Sequence, residues 1–266
     1  MLANARMYAV NAAAKAAWRE LLLWVMVRAA LSWEIVDYDA PAPLSALWAR
    51  EDLGCALMCG LPYSLRANTP QLIAAPIPSL PRYGGRARYM TDLAVRADSP
   101  YQRIADTFGG KVGYTVTDSQ SGYFALRHFL APYQQQRGGA LYRAVVGGLL
   151  NARGVIDALT AGSIDIGPLD SYSYDLLSHL EPETARQVRI IASTEPTAIP
   201  PFVATAPLDA ELLARIRQAF ADVALAPALS AVRSRLSLAG FAFPSPDAYA
   251  PLRARHDALI AAPEVW

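Results

Sequence analysis

Lysine is almost missing from this chain: of its 24 basic residues only Lys15 and Lys111 are lysines, and the formal net charge is +1. No basic cluster stands out. Nucleic-acid backbones need a concentrated basic surface, so nucleic acid is excluded as the main partner. Cysteine is just as scarce, with Cys55 and Cys59 alone, in the run GCALMCG. On a strand, residues four apart share a face with Cα atoms roughly 13 Å apart, beyond the reach of a disulfide. Two free thiols are therefore expected. The histidines, His128, His179 and His256, are scattered without ligand spacing, which predicts no metal site. Neither G-x-S-x-G, nor a phosphate-binding P-loop, nor H-E-x-x-H occurs, and no histidine stands near Ser119 or Ser121 in sequence, so neither an enzyme nor a cofactor is expected. Long apolar runs are also lacking. The most apolar, residues 21–27, is closed off by Arg19, Glu20 and Arg28, well short of the roughly 20 residues a membrane span needs. At the start, residues 2–10 read as a strand with no basic stretch ahead of an apolar one, so no secretory signal is read.

What is present is a core-rich chain of 266 residues, 53% hydrophobic and 18% charged, long enough for two lobes or one large α/β unit. Strand and helix patterns alternate. Strands are predicted at 5–10, 33–38, 55–59, 72–75, 89–96, 111–116, 140–146, 163–169, 188–193 and 202–205. Helices are predicted at 11–31, 44–50, 100–108, 123–130, 151–161, 171–180, 209–225, 226–236 and 246–260. This order predicts an α/β fold with mostly parallel sheets flanked by helices. Two strands without ordinary partner helices, near 91–95 and 192–194, enclose a compact α/β segment. They predict an inserted lobe, 97–193, joined by a hinge of two crossing strands to a discontinuous lobe, 1–96 plus 194–266.

The stretch 111–130, KVGYTVTDSQSGYFALRHFL, runs from a strand through Ser119, Gln120, Ser121 and Gly122 into a helix. Hydroxyls and glycine there leave backbone N–H groups and the positive end of the helix dipole aimed at one spot, a seat for a small anion. Read alone, either serine equally serves as a plain helix cap. Placed at the carboxyl end of a strand in an inserted lobe facing a cleft, the corner is expected to hold a ligand. Asp170 follows an apolar strand and opens the next helix, again either a cap or a ligand contact. An acid beside an anion seat requires a ligand that also carries an ammonium or hydroxyls. Tyr8, Tyr63, Tyr123 and Tyr172 are half-buried core tyrosines or contacts, with Tyr8 and Tyr172 favoured by their places at element ends. Cys59 and Gly60 also sit at a strand end: the cysteine reads as a small buried hydrophobe, and the glycine permits close approach. Arg127, on the second helical turn, is expected to be solvated or to pack between lobes.

Four motifs in order, LWAREDLGCALMCGLPY, TFGGKVGYTVTDSQSG, AGSIDIGPLDSY and TEPTAIPPFVA, resemble the phosphonate-binding family of ABC-transporter substrate-binding proteins. The resemblance runs from Met7 to about Phe243 and implies the two-lobed type 2 periplasmic-binding fold. It implies that the ligand's anionic group sits on Ser119, Gln120, Ser121 and Gly122, with Asp170, Ser171 and Tyr172 lining the cleft and Tyr8 as a contact. The family generally has a glycine-histidine pair ahead of the helix starting near Asn151, where this chain reads GGLLNARG. Asn151 or Arg153 is expected to replace that contact. The expected role is capture of a small anionic or zwitterionic ligand by a monomer that docks on an ABC permease, without a cofactor. The resemblance implies a periplasmic protein, against the unread signal. Two other roles stand beside it: a cytosolic enzyme of menaquinone- or thiamine-precursor type on this fold, and a sensor that transports nothing.

Overall fold

The computed structural model describes residues 1–262 together with Glu264 and Trp266. The chain divides into two compact units, the first comprising Met1–Arg88 and Ala198–Ala250, the second Tyr89–Thr197 and Pro251–Trp266. In chain order the first unit opens with β1 (Leu2–Asn4), α1 (Ala12–Arg28), β2 (Glu34–Ile35), α2 (Leu44–Trp48), β3 (Leu53–Leu57), α3 (Gly60–Leu65) and β4 (Gln71–Pro78). After β5 (Arg88–Tyr89) come β6 (Thr91–Arg96), β7 (Lys111–Gly113), α4 (Ala125–Arg137), β8 (Ala144–Val146), α5 (Ala152–Thr160) and β9 (Gly167–Asp170). Then follow α6 (Ser171–Leu180), α7 (Pro182–Ala185), β10 (Val188–Ser193) and β11 (Thr197–Ala198). The chain returns to the first unit with β12 (Phe202–Ala204), α8 (Ala210–Asp222), α9 (Ser230–Arg235) and β13 (Leu238–Ala242), and closes with α10 (Ala250–Ile260).

In the first unit a six-stranded sheet has the order β13-β4-β12-β3-β1-β2. β1 is parallel to β2 and β3, whereas β12 runs antiparallel to both β3 and β4, and β13 antiparallel to β4. All of β3, LGCAL, is buried, as befits a strand covered on both faces. Gly54 within it is required by close approach, because a Cβ there would lie 2.6 Å from the Trp33 ring. Asn11 starts α1 by accepting the Ala14 N–H at 2.8 Å. The buried face of that helix brings Trp18 to Phe202, at 5.9 Å between ring centroids, and Phe202 and Phe241 flank Phe220 at 5.0 and 4.7 Å. Such offset and edge-on ring pairs add to the burial itself.

The second unit has its own core of Leu93, Val95, Ile104, Val112, Leu126, Leu130, Leu141, Tyr142 and Ile166. β6 lies between β10 and β9, antiparallel to each, and β7 pairs in parallel with β8.

Several expectations are corrected. The sheets are mixed rather than mostly parallel, because β6, β10 and β12 run back against their neighbours. Since β6 is hydrogen-bonded to β9 and β10, it belongs to the second unit, and the boundaries fall at 88/89 and 197/198 instead of 96/97 and 193/194. Residues 251–266 also belong there, so the chain passes between units a third time. The first strand ends at Asn4, not near 10: the Asn4 side chain accepts the Arg6 N–H at 2.9 Å and the chain tightens into a 3₁₀ turn, Arg6–Tyr8. The helix expected at 100–108 shrinks to a 3₁₀ turn, Ile104–Thr107, because the Asp106 carboxylate accepts the N–H groups of Gln102 and Arg103 at 2.9 Å.

Candidate functional site

β7 and β8 are paired in parallel from Lys111↔Ala144 to Gly113↔Val146, and Val112 bridges Ile166 in parallel just ahead of β9. The three strands therefore end on one side of the unit. A helix start follows each of them: the corner at 119–122, Asn151, and Asp170.

The corner begins where Thr115 donates its N–H to the Gly122 carbonyl (3.2 Å) and Ser119 donates its N–H to Val116 (3.1 Å). From there the chain winds as a π-helical turn, Gln120–Phe124, before α4. Its Phe124 N–H bonds the Ser119 carbonyl five residues back, at 3.1 Å. An i→i+5 winding leaves one more leading N–H outside the helix's own pattern than an α-helix does, and such turns recur at functional sites. The Ser119 hydroxyl accepts the Gly122 N–H at 3.0 Å, so this serine is both cap and corner. Gln120, Ser121 and Gly122 are buried. A Cβ on Gly122 would fall 1.7 Å from Thr115 Oγ1. Thr91, on β6, donates its hydroxyl to the Ser121 carbonyl at 3.2 Å and so ties the corner to the central strand. No local pattern marked Thr91, because its partner lies 30 residues away.

Arg127, one turn beyond, is buried and not solvated. Its guanidinium lies 5.4 Å from the Tyr123 ring centroid and 5.9 Å from that of Trp266, and bonds the Leu259 carbonyl at 3.4 Å. The rings supply the negative faces that make burial of this cation tolerable.

Asn151 accepts the Gly154 N–H at 3.1 Å, a helix cap. Replacing it with alanine is expected to lower stability by about 1 kcal/mol in denaturant titrations, with glycine recovering most of the loss. Arg153, the other candidate at this position, is paired with Glu181 at 2.5 Å. Asp170 accepts the Ser173 N–H at 2.9 Å and sits opposite Thr91 in the sheet. Burial pushes its carboxyl up to about 7, against the backbone N–H groups of Ser173 and Tyr172, which hold it down; the nearby Asp92 adds to the rise. The residue as a whole is half-buried, while its carboxyl is desolvated. Asp92 is fully buried and accepts the Ser193 hydroxyl at 2.6 Å. Ser171 exchanges two bonds with Met90, each 3.0 Å, which makes it a sheet tie. Tyr172 is fully buried.

In the first unit the parallel pairing of β1 with β3, Asn4↔Ala56, carries Tyr8 and Cys59 to the same end of the sheet. Tyr8 is fully buried at the close of its 3₁₀ turn; Cys59 is buried, forms no disulfide, and precedes Gly60, the first residue of α3. Burial raises the Cys55 thiol well above its ordinary value, so that cysteine is inert core. Tyr63 has a buried hydroxyl with no partner among the described residues, and its ring meets Tyr249 edge-on at 5.0 Å. An orphaned buried hydroxyl is uncommon. Sequence position ranked Tyr63 below Tyr8 and Tyr172, because an unmet hydrogen bond leaves no local trace. Among the described residues no group of three or more His, Cys, Asp or Glu side chains could hold a metal ion, and no helix is long and apolar enough to cross a membrane.

Two α/β units sharing three chain passages, with strand-end helix starts gathered in one of them, are the architecture of a periplasmic-type binding protein. Residues 11–249 match the family described as the ABC transporter, phosphonate, periplasmic substrate-binding proteins, and the chain belongs to that family. It is a substrate-binding protein and not an enzyme. The structure is similar to a binding-protein component of a phosphonate ABC transporter from Pseudomonas aeruginosa, with 16% identity over 97% of this chain and 86% of that one and a TM-score of 0.78. It is also similar to PhnD1 of Prochlorococcus marinus, solved with methylphosphonate, with 12% identity over 98% of each chain and a TM-score of 0.80. A Xanthomonas citri protein solved with ATP is 18% identical over 98% of this chain and 97% of that one, at a TM-score of 0.65. No curated protein matches the sequence.

Proposed function

We propose that this protein captures a small phosphonate-type oxyanion on the corner at 119–122 and delivers it, from the periplasm and as a monomer, to an ABC permease. The observation that supports the reading is the buried π-helical start capped by Ser119, since a helix start offers leading N–H groups and a positive dipole end to an anion. Gln120, Ser121 and Gly122 complete that seat, Asn151 stands at the neighbouring helix start, and Tyr172 lends its backbone N–H to Asp170. In the first unit Tyr8, Cys59 and Gly60 are the proposed contacts, together with the orphaned Tyr63 hydroxyl. Flexing at the chain passages, 88/89 and 197/198, accompanies capture.

Asp170 narrows the ligand. A carboxyl titrating near 7 can donate a hydrogen bond to an oxyanion when protonated, or face an ammonium when charged. The favoured cargo is thus an aminoalkyl or hydroxyalkyl phosphonate rather than a simple alkyl one. Melting temperature, raised by any ligand of the native state, is the assay against phosphate, methylphosphonate, an aminoalkylphosphonate and a sulfonate. At pH 8 the aminoalkylphosphonate is expected to bind about tenfold or more tighter than methylphosphonate, a preference that Asp170→Asn erases. Silence toward every oxyanion would end the anion reading; an unchanged preference in the variant would remove Asp170 alone.

A further inference from the structure

A cavity of about 310 Å³ lies within the second unit, and none of Ser119, Ser121, Asn151 and Asp170 lines it. One wall is a single face of the helix that leaves the corner, where Gln120, Phe124, His128 and Pro132 recur every four residues. The facing wall belongs to α10, with Arg255, His256 and Leu259, and the segment 194–197 closes a third side. Its volume falls at the lower end of the roughly 300–1,000 Å³ typical of small-molecule sites.

Two opposite charges line this cavity without meeting. Arg255 is half-buried and has no hydrogen bond or ion pair among the described residues, and the Glu195 carboxylate has none either. Lys15, by contrast, pairs with both Asp37 and Asp39. The remaining titratable groups do not fill the gap. His256 is held by Asp257 at 3.0 Å and lies tilted against Phe124 at 4.8 Å between ring centroids, and burial, with Arg255 nearby, lowers the His128 pKa. Phe124, Phe129 and Leu259 add apolar surface to the same lining.

We infer that this cavity is a second small-molecule site, built for a small zwitterion with an apolar side chain, the chemistry of a free apolar α-amino acid. The ligand carboxylate meets the Arg255 guanidinium, whose planar fork suits it; the ammonium meets Glu195; the side chain lies on Phe124, Phe129 and Leu259. A pair of separated, unpaired charges favours a molecule that carries both signs over one that carries either, since a single charge leaves one wall unmet.

The test is calorimetric titration of the full chain with L-phenylalanine, 3-phenylpropanoate and phenethylamine. These probes share a ring and differ only in which charges they carry. L-Phenylalanine is expected to bind about tenfold or more tighter than either single-charge probe. Arg255→Gln and Glu195→Gln should each remove about as much, while leaving the response to methylphosphonate unchanged. Equal binding of the acid or the amine, no L-phenylalanine binding up to millimolar concentration, or full binding in both variants would each overturn the inference. The probe series on the unaltered chain decides the matter even if a variant fails to fold, and it does so whatever ligand the corner takes.

Discussion

Alanine in place of Gly122 is expected to disable the proposed anion seat at 119–122 and to destabilise the protein at once. The added Cβ would sit 1.7 Å from Thr115 Oγ1, 2.8 Å from Thr115 Cβ and 3.0 Å from Ser119 Oγ. None of these partners is the loose end of a long side chain. Thr115 is fixed by its own backbone bond to the Gly122 carbonyl, and Ser119 by its cap bond. The turn must therefore spread, which breaks those bonds and disperses the N–H groups that the anion needs. Overpacking of this kind is worth about 2–3 kcal/mol, a fall in Tm of roughly 4–10 °C. Oxyanion binding should weaken by at least about tenfold, because the donors lose their common focus. The double variant Gly122→Ala, Thr115→Ala removes the closest of the three contacts and should recover part of both losses. A single variant with the parent's melting temperature and affinity would show that the corner is not tight.

The second large effect is on pH. Asp170 titrates near 7 in the folded protein and near 3.9 in an unfolded chain, so the folded state holds its proton more tightly between those values. Stability from this group therefore falls as pH rises from about 4 through 7; the penalty is absent below that window and complete above it. The half-burial of the residue tempers the full shift, leaving about 2–4 kcal/mol as the swing. Asp170→Asn keeps an oxygen for the Ser173 N–H and cannot ionise. Urea titrations across pH 4–8 should show the parent losing ground relative to the variant as pH rises. Parallel pH curves for the two proteins would remove Asp170 as the titrating group. Bound ammonium would oppose the trend by stabilising the charged carboxylate, so a saturating aminoalkylphosphonate should flatten the parent's curve.

How much of this was legible beforehand differs from element to element. The helix Ser171–Leu180 was read to the residue, because an acid cap precedes an apolar period that ends cleanly. The long first helix and β10 were similarly visible. Direction was harder. Nothing local in FVA states that β12 runs against β3, and nothing in LAGFA, interrupted by Gly240, announces β13 as a sheet edge. The candidate corner was legible as strand, hydroxyls, glycine and helix. Its π-helical winding was not, since that depends on Thr115 and Ser119 holding Gly122 from two sides. For Arg127 the solvated alternative falls and packing stands, because the rings that shelter it include Trp266, far along the chain.

The last stretch of the chain therefore has a bearing on how the protein can be cut or made. Trp266 stacks on Tyr114 at 6.0 Å and helps enclose Arg127, and Leu259 receives that guanidinium's bond. A fragment spanning 89–197 would leave these surfaces bare, although its ends look like natural excision points. On the ribosome, residues 89–197 emerge well before the segment 251–266 that packs into the same unit. Translation thus separates the parts of this unit: the half that holds the candidate corner waits for a segment made after it.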